Sequence, residues 1–217
     1  MSEELSLRER KKLQTRRSLW RTAIDLFVER GFDNVSVAEI AMAVDVSKMT
    51  VFNYFPTKED LVMGPMEEHV DEPVRVVRDR AVGESVITAL RRHFLEALAA
   101  RDAATGLNDD LRVLAVQRLV RATPALMQRA YVFHRKSEDL LALEFVAETQ
   151  QTDLTARIAA VQILGVRNAL VSENHRRLVE GESADAVYPD AVANAEHGFH
   201  LLESGLGQYC IRQAEPD

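Results

Sequence analysis

Lys48, Thr50 and Asn53 fall within two turns of Ser47, a residue whose hydroxyl can cap a helix start. From such a start a lysine ammonium reaches O6 and N7 of guanine, an asparagine amide bridges N6 and N7 of adenine, and a threonine methyl meets the thymine methyl. The three are therefore equipped to read base edges in a major groove. Ser36, Tyr54 and Lys58 surround them where a phosphate backbone would run. A helix opening at Ser36 adds free backbone N–H groups and the positive end of its dipole, which favour an anion. Upstream, Arg8, Arg10, Lys11, Lys12, Arg16, Arg17 and Arg21 face only Glu9, a local charge of +6 in fourteen residues. That run either suits phosphate or is a solvated helical face.

Local signals define the elements that must position these residues. Ser6-Leu7-Arg8-Glu9 has the form of a capping box, and Trp20, Ala23, Ile24, Phe27 and Val28 recur at helical spacing until Gly31, predicting a helix from about Leu7 to Arg30. Ser36 opens a short helix with Val37, Ile40 and Ala41 as its apolar face, ending near Val44, and a tight turn follows at Asp45. Ser47 caps a second short helix, Lys48 to Tyr54, which Phe55-Pro56 stops because proline cannot continue it. Two short helices joined by a tight turn form the helix-turn-helix arrangement, whose second helix enters the major groove N-terminus first. Phe52 and Phe55 are assigned to the core of this three-helix unit.

The rest of the chain also reads as helical. Glycine and proline number 9 and 6 of 217 residues, too few for the turns of a many-stranded sandwich or barrel, so an all-α fold is predicted. A helix is expected from Thr57 to about Val70, where Asp71-Glu72-Pro73 either kinks it or starts another. Further helices are expected over 85–100, 109–122, 124–149, 153–180 and 189–210. The division predicted is a three-helix DNA-binding domain over 1–57 and a larger helical effector-binding and dimerisation domain over 58–217. Residues 1–58 carry a net charge of +2 and the remainder −9, so the cationic character lies with the reading residues.

Several function classes are set aside by the same sequence. The single cysteine, Cys210, cannot form an intramolecular disulfide or a thiolate zinc site. No run approaches 18 consecutive apolar residues, and the N-terminus lacks the basic-then-apolar layout of a secretory signal, so a cytoplasmic protein with no membrane partner is expected. There is no G-x-S-x-G, H-E-x-x-H, glycine-rich phosphate loop or paired thiol, so no catalytic residue, enzyme activity or cofactor is predicted. His197-x-x-His200 has a helical metal-ligand spacing but equally suits a polar helix flank, and no metal is assigned.

Two patterns in the larger domain bear on regulation. Val192, Ala195, Phe199, Leu202, Leu206 and Tyr209 are spaced 3-4-3-4-3, an a/d seam that wants a partner helix. The preceding long helix offers Ala159, Ile163, Val166 and Leu170, so the two form half of an intermolecular four-helix bundle or bury both stripes within one subunit. Met127, Tyr131 and His134 make a stripe of mixed polarity which, with Phe94, Leu98 and Gln162, either lines an effector cavity or belongs to ordinary core. An effector there would shift the Lys58–Val70 helix about Pro73 and change the separation of two reading heads, with a coupling of ~1–3 kcal/mol.

The stretch Phe27 to Leu61 resembles the N-terminal DNA-binding domain of the TetR (tetracycline-repressor-like) family of bacterial transcriptional regulators. The likeness rests on Ala23-x-x-Leu26-Phe27, Gly31-Phe32-Asp33, Ser36-Val37-Ala38-Glu39-Ile40-Ala41, Val46-Ser47-Lys48-x-Thr50-Val51-Phe52-x-Tyr54-Phe55 and Lys58-Glu59-Asp60-Leu61. It implies that Ser36 and Lys58 clamp phosphates, that Lys48, Met49, Thr50 and Asn53 face the groove, and that Tyr54 contacts backbone. It also implies an intermolecular four-helix bundle, and repression as the commoner outcome. Asp45 stands where the family often has glycine, and Met49 where a small residue is usual, so base preference does not transfer from relatives. The expected function is that of a regulator binding a palindromic double-stranded operator as a homodimer and released by a small-molecule effector. The alternative is a regulator without such an effector, controlled by a protein partner or by abundance.

Overall fold

A computed structural model describes residues 6–149 and 152–205. Among these residues are ten α-helices and no strand: α1 (Leu7–Arg30), α2 (Val37–Ala43), α3 (Lys48–Tyr54), α4 (Asp60–Glu67), α5 (Glu72–Arg78), α6 (Val86–Ala99), α7 (Leu111–Ala122), α8 (Pro124–Thr149), α9 (Asp153–Val179) and α10 (Ala184–Ser204). A single 3-10 turn, Ala103–Thr105, stands between α6 and α7. The helices fall into two compact units. One is built from the stretch up to His69 with Asp110–His134, the other from Val70–Asp109 with the stretch from Arg135 onward.

In the first unit α1 is the spine against which α2, α4 and α7 pack. Its buried face is Leu19, Ala23, Ile24 and Phe27, met by Val37, Ile40 and Ala41 of α2, Val51 of α3, Phe55, and Leu61, Val62 and Met63 of α4. The Phe27 and Phe32 rings lie 5.0 Å apart, closing the end of α1 over the start of the turn. Capping boxes at Ser6/Glu9 and Ser36/Glu39 open α1 and α2, and the Ser47 hydroxyl accepts the Thr50 N–H at the start of α3. Asp45, at φ +55°, makes the left-handed step between α2 and α3, a geometry that Asp accepts at low cost.

In the second unit α10 packs against α9 and α6. The Phe94 and Phe199 rings are 6.2 Å apart, and both side chains are buried. Gly198 lets α10 approach α9 closely, since a Cβ there would stand 2.9 Å from Cγ1 of Val166. The 3-10 turn is tied to α9 by Asn174, whose buried amide donates to the Thr105 carbonyl at 2.9 Å.

Two sequence expectations give way. The helix expected from Thr57 to about Val70 is shorter, Asp60–Glu67, and of the two alternatives at Asp71-Glu72-Pro73 the chain starts another helix, α5, with Pro73 buried in its first turn, where its missing N–H breaks nothing. The last helix begins at Ala184 under a Ser183 cap, with Pro189 inside it. Burial of Ala184, Val187 and Ala191 along one face outweighs the single hydrogen bond that Pro189 removes. The helix ends at Ser204, before Gly205 at φ +70°, and so stops short of the expected Cys210, which itself lies outside the described residues.

Candidate nucleic-acid interface

α3 is anchored by one face only. Val51 is buried, whereas Lys48, Met49 and Asn53 are exposed, Met49 to 68%. A short helix held by its apolar residue and its serine cap presents the other side chains outward, the disposition that base reading requires. The Thr50 hydroxyl is 2.8 Å from the Ser47 hydroxyl and its N–H donates to the same oxygen, so the cap engages its polar atoms and leaves its methyl for a thymine. The Lys48 ammonium lies 5.7 Å from the centre of the half-buried Phe52 ring, which holds it at the start of the helix.

The phosphate-facing residues are more constrained than their spacing suggests. The Ser36 N–H and hydroxyl both donate to Glu39 at 2.8 Å, and Arg30 donates to the same carboxylate at 2.7 Å. The Ser36 N–H, then the Arg30 guanidinium and the Ser36 hydroxyl, hold the Glu39 carboxyl down to about 2 from an ordinary 4.5. A permanent carboxylate therefore already occupies the N-terminus of α2, and a phosphate must compete with it for Ser36. Lys58 is half-buried, with its ammonium 4.3 Å from the Phe32 ring centre and 5.6 Å from that of Phe27. Tyr54 closes α3 half-exposed. Of the seven residues, Lys48, Met49, Thr50, Asn53 and Tyr54 stand on α3, while Ser36 and Lys58, outside it, already have partners within the first unit.

Arg129 of α8 was not singled out by sequence. Its guanidinium donates to the buried Asp60 at 2.9 Å and stacks 4.9 Å over the Phe133 ring. Asp60 also accepts from the Thr57 N–H, while its own N–H donates to the Thr57 hydroxyl. The Thr57/Asp60 box was legible as a helix start, but a partner 69 residues away leaves no local signal.

The residues expected to line an effector cavity divide between the two units. Phe94 and Leu98, one turn apart on α6, are core residues of the second unit, and Gln162 is exposed on α9. Met127 and Tyr131 are 47% and 64% exposed on α8, and His134 is half-buried. Of the seam residues, Ile163, Ala195 and Phe199 are buried within the chain itself, while Val166, Leu170, Val192 and Leu202 are half-buried. Leu206 and Tyr209 lie outside the described residues.

Residues 19–63 match the family of bacterial regulatory proteins, tetR family. The chain is similar to the HTH-type transcriptional regulator TcmR of Streptomyces glaucescens, 32% identical over 135 residues, 62% of this chain and 58% of that protein. It therefore spans less than two thirds of that relative's length. In fold it is similar to GusR of Salmonella enterica, with a TM-score of 0.56 and 20% identity, covering 88% of this chain and 95% of that one. It is also similar to FadR of Bacillus subtilis, solved in complex with stearoyl-CoA, with a TM-score of 0.52 and 19% identity, covering 87% and 97%.

Proposed function

We propose that this chain is a regulator of the tetR family, whose pattern residues 19–63 match, and that it represses transcription by holding a palindromic operator as a homodimer and releases it when a small-molecule effector binds. The observation that carries the DNA-binding part is α3: a Ser47-capped helix with Val51 buried and Lys48, Met49 and Asn53 facing outward. One seven-residue helix reads too few bases for a specific site, so two copies reading half-sites about one duplex turn, ~34 Å, apart are required. Residues 1–57 then read the DNA and 58–217 respond and dimerise. Effector control is supported by likeness to a fold that in Bacillus subtilis FadR accommodates stearoyl-CoA.

The test is selection of genomic DNA fragments by the purified protein, followed by titration of the enriched site with wild type and Lys48→Ala. An enriched palindrome, with discrimination reduced by ~1–3 kcal/mol at one base position in each half-site of the variant, supports the reading. Absence of any enriched site, with and without metabolites, sinks it. A second reading, control by a protein partner, is supported by Met127, Tyr131 and Val132, neighbouring α8 residues exposed to 47%, 64% and 46%. Thermal shifts across a metabolite panel separate the two, because a ligand at 100 times its dissociation constant stabilises by ~2.7 kcal/mol.

A further inference from the structure

The family match begins at residue 19, yet α1 begins at Leu7 and carries most of its positive charge before that point. Arg8, Lys11, Lys12 and Thr15 recur at i, i+3, i+4 and i+7, so they share one face of the helix. They form an open groove of about 490 Å³ whose far wall is Tyr54, the last residue of α3. Glu9 is the only acid in the groove, and its carboxylate accepts the Ser6 N–H at 2.9 Å and the Ser6 hydroxyl at 2.7 Å.

Glu9 is engaged by Ser6 rather than by the groove's cations. Among the described residues Arg8, Lys11 and Lys12 have no ionic partner, and the Tyr54 hydroxyl has no hydrogen-bond partner. Elsewhere arginines are tied to acids, Arg78 to Glu144, Arg176 to Glu173 and Glu180, and Arg177 to Glu182 and Asp190. Like charges at i,i+3 and i,i+4, here Arg8–Lys11 and Arg8–Lys12, repel along the helix, a repulsion that a polyanion removes. Tyr54 makes the groove continuous with the end of α3.

We propose that the first turns of α1 are an auxiliary DNA-backbone site, in which Arg8, Lys11 and Lys12, joined to α3 through Tyr54, hold the phosphodiester strand flanking the bases that α3 reads. The proposal rests on the DNA-binding reading above and extends it upstream of the helix-turn-helix. Contacts of this kind fix register and raise affinity without carrying sequence information. Thr15 serves as floor rather than donor, because its hydroxyl donates to the Lys11 carbonyl at 3.0 Å.

The experiment measures the salt dependence of binding to the selected operator and to a scrambled duplex. The full chain is compared with Arg8→Gln/Lys11→Gln/Lys12→Gln and with a charge-matched control, Arg10→Gln/Arg17→Gln/Arg21→Gln. The control residues line a different groove, facing Arg112 of α7. Glutamine keeps helix propensity, and circular dichroism verifies that α1 is intact. The slope of log K against log salt in the first variant should be shallower by up to about five, from six contacts per dimer at about 0.9 each. Affinity should fall equally for both duplexes, leaving their ratio unchanged, and the control should change the slope by less than half as much. An unchanged slope, or equal changes in both triple variants, overturns the groove while leaving the reading helix intact. Salt-sensitive wild-type binding with no preference for the operator refutes sequence reading, yet supports the groove if the first variant alone flattens the slope. No wild-type binding at any salt refutes both.

Discussion

Gly106 turns the chain after the 3-10 helix at φ +73°, and a Cβ there would stand 2.3 Å from the carbonyl oxygen of Val171 on α9. Backbone cannot yield as a side-chain tip does. Gly106→Ala should therefore destabilise by more than the ~1–3 kcal/mol of a left-handed non-glycine residue, lowering Tm by more than about 6 °C. Gly83 is the internal comparison, because its φ is +84° but nothing lies within 4 Å of a Cβ there. Gly83→Ala should show the conformational cost alone, and equal losses in the two variants would refute the contact argument. Glu72 gives a second single-residue prediction. Burial pushes its carboxyl up, but the His93 ring nitrogen at 3.1 Å and the Arg167 guanidinium at 2.6 Å more than offset this and bring it down to about 2. Its folded pKa lies below the unfolded value, so its stabilisation is complete above about 4.5 and is lost as pH falls toward 2. Urea unfolding of Glu72→Gln across that window should vary less steeply with pH than wild type, and parallel curves would refute the assignment.

At the scale of elements, what was legible in sequence is what local chemistry decides. Ser6, Ser36, Ser47 and Ser85 each accept a backbone N–H three residues on, and the helices they open begin where those serines predict. The turn at Asp45 and the stop at Phe55-Pro56 belong to the same class. Less legible was anything decided by distant packing. Ala195 and Phe199 have the spacing of a coiled-coil seam, but that spacing cannot say whether the facing helix belongs to the same chain, and here α6 supplies Phe94. Pro189 resembled a helix start because proline suits a first turn, whereas Ser183 caps the chain six residues earlier. That the Lys58 ammonium lies over the Phe32 and Phe27 rings is likewise decided by the fold and leaves no local signal. The cap of α3 is the most consequential of these local signals. Ser47→Ala should cost about 0.5–2 kcal/mol by removing the acceptor of the Thr50 N–H. Fraying the helix that carries Lys48 and Asn53 should weaken binding to the selected operator more than to a scrambled duplex. Equal weakening on both would mean that α3 does not carry the sequence preference.

At the scale of the whole molecule the unbalanced feature is α9, which is apolar enough by length and composition to cross a membrane, yet has only 22% of its most apolar stretch buried. Leu154, Ile158 and Val161 are 67%, 50% and 44% exposed at spacings of four and three, a single stripe, and Gly165 extends it with open space where a Cβ would stand. Monomeric soluble proteins rarely leave a contiguous apolar stripe in water. The half-buried Val166, Leu170, Val192 and Leu202 continue the apolar character along α9 and α10. Covering a side chain of this size contributes about 1.5–3 kcal/mol when burial is complete, and a two-fold interface counts each residue twice. A second copy is the occupant that also supplies the second reading helix required by the operator binding proposed above. Ile158→Asp/Val161→Asp should convert a dimer, measured by light scattering across a concentration series, into a monomer with unchanged helical content. Affinity for the full palindrome should fall toward that for an isolated half-site. If the variant remains dimeric and still prefers the palindrome, the stripe lies outside the subunit interface and its cover must be sought in another partner.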